Sequence, residues 1–268
     1  MQLPSHNHSS EQLLTLDLGN SHPHFSVFDN YQLKSTQPLQ ELSNFLDKNL
    51  TTKFIMITSI VGDTSQFPAL LDQRIKMINF RQNFKNGFFF DMPVQYAETL
   101  GDDRLYESYY IYKNFNTLSE NQNTPILLID AGTFLTLDWI SPKGLQGGLI
   151  FPGIKTLSQC YGQGKQLKSF MDTSLDFEKT LKEKGLPHTS SQAISSAIQL
   201  MISSTLSEII KLFPAQNVIL TGGEANLVQS IMMNLNFKTK VMTNLIHFAL
   251  HELYLNTLSR NDCRGKIK

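Results

Sequence analysis

A carboxylate followed at once by a small, glycine-containing turn is the feature of this sequence that best fits phosphate chemistry. Asp130 ends the apolar run 126–129, which is typical of a strand buried on both faces. Gly132 lets a phosphate approach the backbone, and Thr133 offers a hydroxyl and an N–H group. The carboxylate would face a cation and the backbone amides an anion, so the turn predicts a site for a metal-bound phosphate.

The same signature occurs earlier in the chain, again after an apolar run. Three positions correspond in an ungapped alignment: Asp17 with Asp130, Gly19 with Gly132, and Asn20 with Thr133. A single turn of this kind is usually an ordinary one. Two in phase predict two related lobes that face one nucleotide, with one carboxylate from each.

Two carboxylates stand at the start of the predicted helix 101–115. Asp102 or Asp103 lies in the first turn, where the helix macrodipole favours an anion. Taken alone, these residues are better explained as helix caps than as catalytic groups.

Two later positions could contact a nucleotide. Thr189 and Ser190 place two hydroxyls at the start of the predicted helix 190–213, which is a ready anion site, but a simple N-cap explains them equally well. Gly222 and Gly223 follow a predicted strand. Glycine after a strand is common, so this turn alone indicates little.

The elements that must position these residues fall into two similar sets. Apolar runs predict strands in the first set at 13–18, 24–29, 31–36 and 54–59, and residues 66–76 are predicted to be helical. The polar stretch 116–125 separates this set from the second. The predicted organisation is a disordered lead (1–12), an N-terminal lobe (13–122), a C-terminal lobe (123–258) and a flexible tail (259–268).

Composition argues against several classes of protein. Lys and Arg number 23, as do Asp and Glu, so the formal net charge is zero and gives no support to nucleic-acid or membrane-surface binding. Two cysteines make no disulfide framework, and no apolar stretch reaches transmembrane length. With 41% hydrophobic residues the chain is globular, and we expect it in the cytoplasm.

Four motifs, in this order, resemble the type III pantothenate kinases, which belong to the superfamily of acetate kinase, sugar kinases, Hsp70 and actin. The motifs are Asp17-Leu18-Gly19-Asn20-Ser21, Gly101-Asp102-Asp103-Arg104, Asp130-Ala131-Gly132-Thr133 with Gly147-Gly148-Leu149-Ile150-Phe151-Pro152-Gly153, and Thr221-Gly222-Gly223. The resemblance implies an α/β, duplicated ribonuclease H-like (actin-like ATPase) fold, with a mixed five-stranded sheet in each lobe and a nucleotide cleft between the lobes. It also implies ATP-dependent phosphorylation of pantothenate to 4'-phosphopantothenate, the first step of coenzyme A biosynthesis.

The resemblance also implies roles for individual residues. Asp103 resembles the general base that takes the proton from the primary hydroxyl of pantothenate, and Arg104 resembles the residue that binds its carboxylate. The implied cofactors are Mg²⁺, facing Asp17, and a monovalent cation, K⁺ or NH₄⁺, facing Asp130. The other implied contacts are Asp17, Gly19, Asn20, Ser21, Gly132, Thr133 and Ser190 with the phosphates of ATP, Gly222 and Gly223 with adenosine, and Tyr96, Gly101 and Asp102 with pantothenate. Family members are homodimers, so a homodimer is implied here too.

The pantothenate side departs further from the family than the phosphate side does. Tyr96 and Ala97 occupy the places of a frequent Asn-Pro, and Ala197 replaces a frequent glycine. Two alternatives therefore stay open. One is a non-catalytic relative that binds a nucleotide and regulates transcription, although the retained Asp103 argues against it. The other is a kinase for a different small alcohol such as a sugar, although those kinases are usually longer.

Two pairs of histidines could hold a metal ion, His22 with His24 and His247 with His251. Neither pair has a nearby cysteine or carboxylate that would complete a ligand set. Packing or surface roles are therefore favoured, and no zinc site is predicted.

Overall fold

The computed structural model describes residues 11–19, 22–29, 32–50, 53–59, 67–96, 99–119, 121, 123–162, 185–215 and 217–264. The strands are β1 (Glu11–Asp17), β2 (His24–Asp29), β3 (Gln32–Pro38), β4 (Lys53–Ser59), β5 (Ile75–Ile78), β6 (Phe84–Lys85), β7 (Phe88–Phe89), β8 (Met92–Pro93), β9 (Ile126–Ala131), β10 (Phe134–Ser141), β11 (Gly144–Pro152), β12 (Asn217–Thr221) and β13 (Thr239–Val241). The α-helices are α1 (Leu42–Lys48), α2 (Asp102–Lys113), α3 (Phe115–Leu118), α4 (Ile154–Tyr161), α5 (Ser190–Leu212), α6 (Ala225–Asn234) and α7 (Leu245–Arg264). Short 3₁₀ helices lie at Leu39–Glu41, Pro68–Leu71 and Arg81–Asn83.

The first sheet has the strand order β3-β2-β1-β4-β5. β2 runs antiparallel to both β1 and β3, while β1, β4 and β5 are parallel. The register places Asp17, the last residue of β1, opposite His24 on β2 and Ser59 on β4. The acidic residue therefore lies where two parallel strands end side by side.

The second sheet repeats this arrangement, with the strand order β11-β10-β9-β12-β13. β10 runs antiparallel to β9 and β11, while β9, β12 and β13 are parallel. Asp130 on β9 lies opposite Thr221 on β12, just as Asp17 lies opposite Ser59. The shared strand order, strand directions and place of the carboxylate confirm the predicted duplicated, ribonuclease H-like α/β fold.

The chain divides into two compact units, and each contains one of these sheets. Unit 1 comprises Met1–Asn86, Leu100–Tyr110 and Ile246–Lys268, and unit 2 comprises Gly87–Thr99 and Ile111–Leu245. From Ile246 on, helix α7 thus belongs with the first sheet, although it follows the last strand of the second sheet in the sequence. Sequence order alone predicts lobes at 13–122 and 123–258.

Each sheet has a hydrophobic core of its own. Leu14, Leu16 and Phe25 are fully buried in unit 1. The core of unit 2 includes one face of α5, where Ile198 and Leu206 are fully buried. The expectation that no apolar stretch reaches transmembrane length is wrong for α5, which among the described helices is the one long and apolar enough to cross a membrane by length and composition. Its buried face belongs to the core of unit 2, which explains its apolar character.

The helix predicted at 66–76 is wrong for the part of that range that the structure describes. A four-residue 3₁₀ helix, Pro68–Leu71, is followed by strand β5. Ile75 and Met77 pair with Phe54 and Met56 of β4. Pairing with the sheet therefore prevails over the local helical pattern, as is common for strands.

Candidate active site

The first of the two predicted phosphate turns begins at Asp17 in unit 1. Asp17 Oδ1 accepts a hydrogen bond from the backbone N–H of Gly19 at 3.1 Å, and His24 Nδ1 lies 3.7 Å from Oδ2. A Cβ on Gly19 would lie 3.3 Å from Oδ2, so the glycine allows this tight return of the chain over the carboxylate. The predicted contacts Asn20 and Ser21 lie outside the described residues.

A histidine pair that sequence reasoning missed packs behind this turn. The rings of His24 and His247 meet edge to face with centroids 4.6 Å apart, and His247 Nδ1 lies 2.7 Å from Thr15 Oγ1. His247 is fully buried, and burial together with the neighbouring His24 holds its pKa well below the ordinary value. In the part of the chain that the structure describes, no group of three possible ligands could hold a metal ion. One histidine from each of the two pairs noted in the sequence, His24 and His247, thus contacts the other in the fold, and no local pattern signals this contact.

The second predicted phosphate turn, Asp130–Thr133 in unit 2, lies against the Gly222–Gly223 turn. Gly222 has φ of +87°, and a Cβ there would lie 2.6 Å from the carbonyl oxygen of Ala131 and would overlap the Asp130 carboxylate. Glycine is therefore required for the β12–α6 turn to lie directly on Asp130. The neighbouring Gly223 has no atom of the described residues within 4 Å of an added Cβ. The predicted cation-facing and adenosine-facing residues of this unit are thus brought together.

The carbonyl of Thr133 ties the phosphate turn to helix α4. It accepts hydrogen bonds from the backbone N–H of Gly153 at 2.9 Å and from Thr156 Oγ1 at 2.6 Å. A Cβ on Gly153 would lie 2.8 Å from this carbonyl oxygen, so a larger residue would push α4 away. The predicted Gly132–Thr133 turn is therefore held by the helix that follows β11.

Glu224 is a residue of this site that sequence reasoning missed. Its carboxylate accepts hydrogen bonds from Ile154 N at 3.0 Å and Lys155 N at 3.1 Å, and the residue is only 5% exposed. Burial raises the pKa of this carboxyl, although the two N–H donors and the Lys155 charge oppose the shift. The sequence does show a carboxylate directly after the Gly222–Gly223 turn. The N–H groups that bond it lie about 70 residues away in the chain, so its role could not be predicted.

The Gly101–Arg104 motif opens helix α2 as predicted. Asp103 Oδ1 accepts a hydrogen bond from Arg104 N at 2.8 Å, and a Cβ on Gly101 would lie 2.5 Å from the same oxygen. Asp103 Oδ2 makes no hydrogen bond to the residues that the structure describes. The carboxylate is thus oriented through one of its two oxygens. Arg104 is buried, at 5% exposure.

Asp102 has a different environment from its neighbour Asp103. It forms an ion pair with Arg81 at 3.1 Å and accepts a hydrogen bond from Asn79 Nδ2 at 3.3 Å. Burial and the nearby Asp102 charge raise the pKa of Tyr106. These contacts anchor the start of α2, so they position Asp103. The predicted contact of Asp102 with pantothenate, like that of the half-buried Tyr96, stays a prediction.

The structure distinguishes the roles of the two hydroxyls at the start of helix α5, those of Thr189 and Ser190, which the sequence alone leaves open. Thr189 is the N-cap, and its Oγ1 accepts a hydrogen bond from Gln192 N at 3.2 Å. Ser190 is exposed, and its hydroxyl makes no hydrogen bond to the described residues. Thr189, and not Ser190, is therefore the residue that caps α5.

Comparison with known proteins decides the family. Residues 13–212, more than half of the chain, match the family model of type III pantothenate kinase. The chain belongs to the type III pantothenate kinase family. The matched span includes both phosphate turns, the Gly101–Arg104 motif and Ser190, so the resemblance found from the motifs is confirmed.

Individual relatives are distant but similar over most of their length. The type III pantothenate kinase of Flavobacterium psychrophilum is 25% identical over 254 residues, covering 88% of this chain and 99% of the relative. That of Sulfurimonas denitrificans is 24% identical over 223 residues, covering 83% of this chain and 89% of the relative. The similarity therefore extends well beyond the motifs.

Solved structures support the fold of this type III pantothenate kinase family member. A Campylobacter jejuni protein named for the Baf family of transcriptional activators is 22% identical with a TM-score of 0.55, covering 92% of this chain and 99% of that one. The ethanolamine utilization protein EutJ of Carboxydothermus hydrogenoformans is 12% identical with a TM-score of 0.52, covering 93% and 89%. At these identities the likeness shows the fold alone, which is the duplicated, actin-like ATPase fold.

Proposed function

We propose a residue-level mechanism for the reaction of this chain, the ATP-dependent phosphorylation of pantothenate to 4'-phosphopantothenate in coenzyme A biosynthesis. The family match over residues 13–212 carries the assignment of this phosphotransferase activity. Phosphoryl transfer depends on aligning the reactants and neutralising charge more than on covalent chemistry. Each residue is therefore assigned by what it can position or neutralise.

Asp103 is the general base of the proposed mechanism. Arg104 N fixes Oδ1, which leaves Oδ2 for the primary hydroxyl of pantothenate. Oδ2 accepts the hydroxyl proton while the hydroxyl oxygen attacks the γ-phosphorus of ATP and the bond to ADP breaks. A positioned base of this kind contributes about 10²–10⁴-fold to the rate.

The remaining pantothenate contacts of the proposed mechanism involve Arg104, Gly101, Asp102 and Tyr96. The guanidinium of Arg104 binds the substrate carboxylate through two hydrogen bonds. Gly101 keeps the space beside Asp103 Oδ1 open, because any Cβ would enter it. Asp102 and Tyr96 complete the proposed contacts, and the ion pair of Asp102 with Arg81 supports the position of Asp103.

The phosphates of ATP are assigned to the turns that follow Asp17 and Asp130 and to the start of α5. Adenosine is assigned to the Gly222–Gly223 turn. Backbone N–H groups at a glycine turn and a hydroxyl at a helix N-terminus are suited to phosphate oxygens. The proposed phosphate contacts are Gly19, Asn20, Ser21, Gly132, Thr133 and Ser190. Gly222 and Gly223 flank adenosine, since a glycine turn lets a flat base lie against the backbone.

Two carboxylates fit the cations that we propose as cofactors. Asp17 would hold Mg²⁺, and Asp130 would hold the monovalent cation, K⁺ or NH₄⁺, because both offer the oxygen ligands that such ions prefer. Each lies at the end of a central strand beside a glycine turn. Bound Mg²⁺ would neutralise charge on the transferring phosphoryl group.

We also propose that the protein is a cytoplasmic homodimer. The two cysteines of the sequence suit a reducing compartment, and Cys160 is free and exposed. Phe134 and Ile150 lie on one face of β10 and β11 at 47% and 53% exposure, and an apolar surface of this kind is typical of a protein contact. Sedimentation of the purified protein would measure the number of chains.

The test of the proposed mechanism is an ATP-dependent phosphorylation assay with pantothenate, Mg²⁺ and K⁺. The wild type is compared with Asp103→Asn and with Asp47→Asn, a control in which an exposed carboxylate of helix α1 is changed. We expect turnover to fall by about 10²–10⁴-fold in the first variant and to stay unchanged in the control. Equal turnover in Asp103→Asn would exclude it as the base.

Wild-type protein that binds ATP but never phosphorylates pantothenate would refute the assigned reaction. A nucleotide-binding regulator would then explain the chain better. A parallel measurement of ATP binding by calorimetry separates this outcome from a protein that is merely misfolded.

A further inference from the structure

We propose that Glu224 is a positioning residue for the nucleotide, because it fixes the Asp130–Thr133 turn and the Gly222–Gly223 turn relative to each other. This role rests on the ATP contacts proposed above for the two turns. Glu224 itself lies one residue beyond the second turn and need not touch the ligand. Glu224 would affect ATP binding indirectly, by fixing the backbone groups of the two turns through its hydrogen bonds.

Glu224 is bonded through both its backbone and its side chain. Its backbone N–H donates to the carbonyl of Ala131 at 2.8 Å, which attaches the β12–α6 turn to the end of β9. Its carboxylate accepts one hydrogen bond at each oxygen, from the backbone N–H groups of Ile154 and Lys155. One residue thus joins the end of a central strand to the start of helix α4.

Helix α4 depends on this distant carboxylate for the capping of its first turn. Its N-cap residue, Gly153, has no side chain that could accept a hydrogen bond from the first N–H groups. Such groups need an acceptor when they are buried, and an anion there also interacts favourably with the helix dipole. Glu224 meets both requirements, so the start of α4 is fixed by a residue from the β12–α6 turn.

Helix α4 in turn holds the phosphate turn. The N-cap Gly153 and Thr156 both donate to the carbonyl of Thr133, at 2.9 and 2.6 Å. The contacts therefore form a closed ring that runs from Ala131 through Thr133 and α4 to Glu224 and back to Ala131. The proposed phosphate contacts and the proposed adenosine contacts both lie on this ring, so a change in one turn is transmitted to the other.

The energetics of the carboxylate support a role that needs a defined geometry. A buried carboxylate is costly unless hydrogen bonds compensate for its lost hydration. Glu224 is 5% exposed and has two backbone donors at 3.0 and 3.1 Å, which are charge-assisted bonds. Loss of the carboxylate leaves two N–H groups without an acceptor, and α4 can then shift with the Thr133 carbonyl.

The test compares Glu224→Ala and Glu224→Gln with the wild type and with Glu208→Gln. Glu208 is a matched control, since it is an exposed glutamate on α5 of the same unit whose partner is the exposed Lys211. KM for ATP, KM for pantothenate and kcat are measured well below the unfolding temperature. The dissociation constant of ATP is measured by calorimetry, so that one readout does not depend on turnover. Fluorescence of Trp139, the one tryptophan of the sequence, reports the folding of unit 2.

We expect Glu224→Ala to weaken ATP binding on the order of ten- to a hundredfold, which is the loss expected when a displaced turn no longer makes one hydrogen bond to a charged phosphate. Glu224→Gln keeps the volume and one acceptor, so its loss should be smaller, and it replaces the alanine variant if that one does not fold. KM for pantothenate and all constants of Glu208→Gln should stay unchanged.

A lower unfolding temperature with unchanged ATP binding in both variants would overturn the proposal and leave Glu224 as a helix cap alone. A wild type that binds ATP without phosphorylating pantothenate would refute the reaction but not the role of Glu224. A wild type that binds no ATP would refute the nucleotide contacts on which the role rests.

Discussion

Replacing Gly222 with alanine should destabilise unit 2, whereas the same change at the adjacent Gly223 should not. Gly222 has φ of +87°, and its added Cβ would lie 2.6 Å from the carbonyl oxygen of Ala131 and overlap Asp130. At Gly223 the added Cβ meets no atom within 4 Å in the described part of the chain. Both variants therefore add one methyl group, which enters occupied space at position 222 and open space at position 223.

The magnitude follows from two costs at Gly222. A left-handed conformation costs a residue with a Cβ roughly 1–2 kcal/mol, and an extra methyl group in a filled space costs about 1–3 kcal/mol. The free energy of unfolding should therefore fall by roughly 2–5 kcal/mol in Gly222→Ala. In a domain of this size that lowers the Tm by about 5–15 °C. For Gly223→Ala we expect a change within about 0.5 kcal/mol.

Thermal unfolding followed by the fluorescence of Trp139 is the assay for this pair. Trp139 is 8% exposed in unit 2, and its indole N–H donates to the carbonyl of Phe213 at 3.1 Å. Because it is the one tryptophan of the sequence, its signal follows the unit in which both glycines lie. Equal Tm values for the two variants, or a lower one for Gly223→Ala, would refute the packing argument.

Two other predictions concern unit 1. Burial holds the pKa of His247 below its ordinary value, with His24 as the lesser cause, so the unfolded chain binds protons that the folded chain does not. The free energy of unfolding should then fall as the pH drops below about 6.5. When the free energy of unfolding is measured by urea titration at several pH values, His247→Gln should reduce its decrease below about pH 6.5. The substitution His22→Gln, at an exposed histidine, should leave this pH dependence unchanged. Asp102→Asn breaks the ion pair with Arg81 at 3.1 Å and should lower the urea-derived free energy by about 1–2 kcal/mol, with no change contradicting its anchoring role.

The duplicated architecture could be predicted from the sequence because its signals are local and repeated. The run before Asp130 is continuously apolar, and the run before Asp17 is apolar except for Thr15, as expected for central strands buried on both faces. The register of each sheet then places these two carboxylates at equivalent ends. Neither feature requires knowledge of distant contacts, and each copy supports the interpretation of the other.

The two edge strands that run parallel to their neighbours, β5 and β13, could not be predicted in the same way. β5 has only four residues and β13 three, and their burial is partial. Each pairs with one neighbour, β4 or β12, so its sequence needs few buried apolar residues. The sequences of β5 and β13 therefore lack the continuous apolar pattern of a central strand. Because the two sheets share one strand order, the position of the fifth strand in one sheet is better predicted from the other sheet.

In the candidate site, too, the residues with local contacts could be predicted from the sequence, and those with distant partners could not. The turn at Gly132 and the helix start at Asp103 are visible in the sequence because each motif supplies its own backbone geometry. The carboxylate of Glu224 acts on Ile154 and Lys155, and His247 meets Thr15, far away along the chain. Residue type alone shows that such a group can accept or donate a hydrogen bond, but the partner is set by the tertiary fold.

The glycines of the site show why residue type does not identify a ligand contact. The family resemblance implies that Gly222 and Gly223 both contact adenosine, yet of these two only Gly222 is required by the packing of the protein itself. Gly153, which has no proposed ligand contact, is equally demanded, because a Cβ there would lie 2.8 Å from the Thr133 carbonyl oxygen. Weak ATP binding in Gly222→Ala or Gly153→Ala could therefore follow from a displaced turn. Weak ATP binding in Gly223→Ala with an unchanged Tm would instead identify a direct contact, since the free protein has room for the methyl group and only the ligand would exclude it.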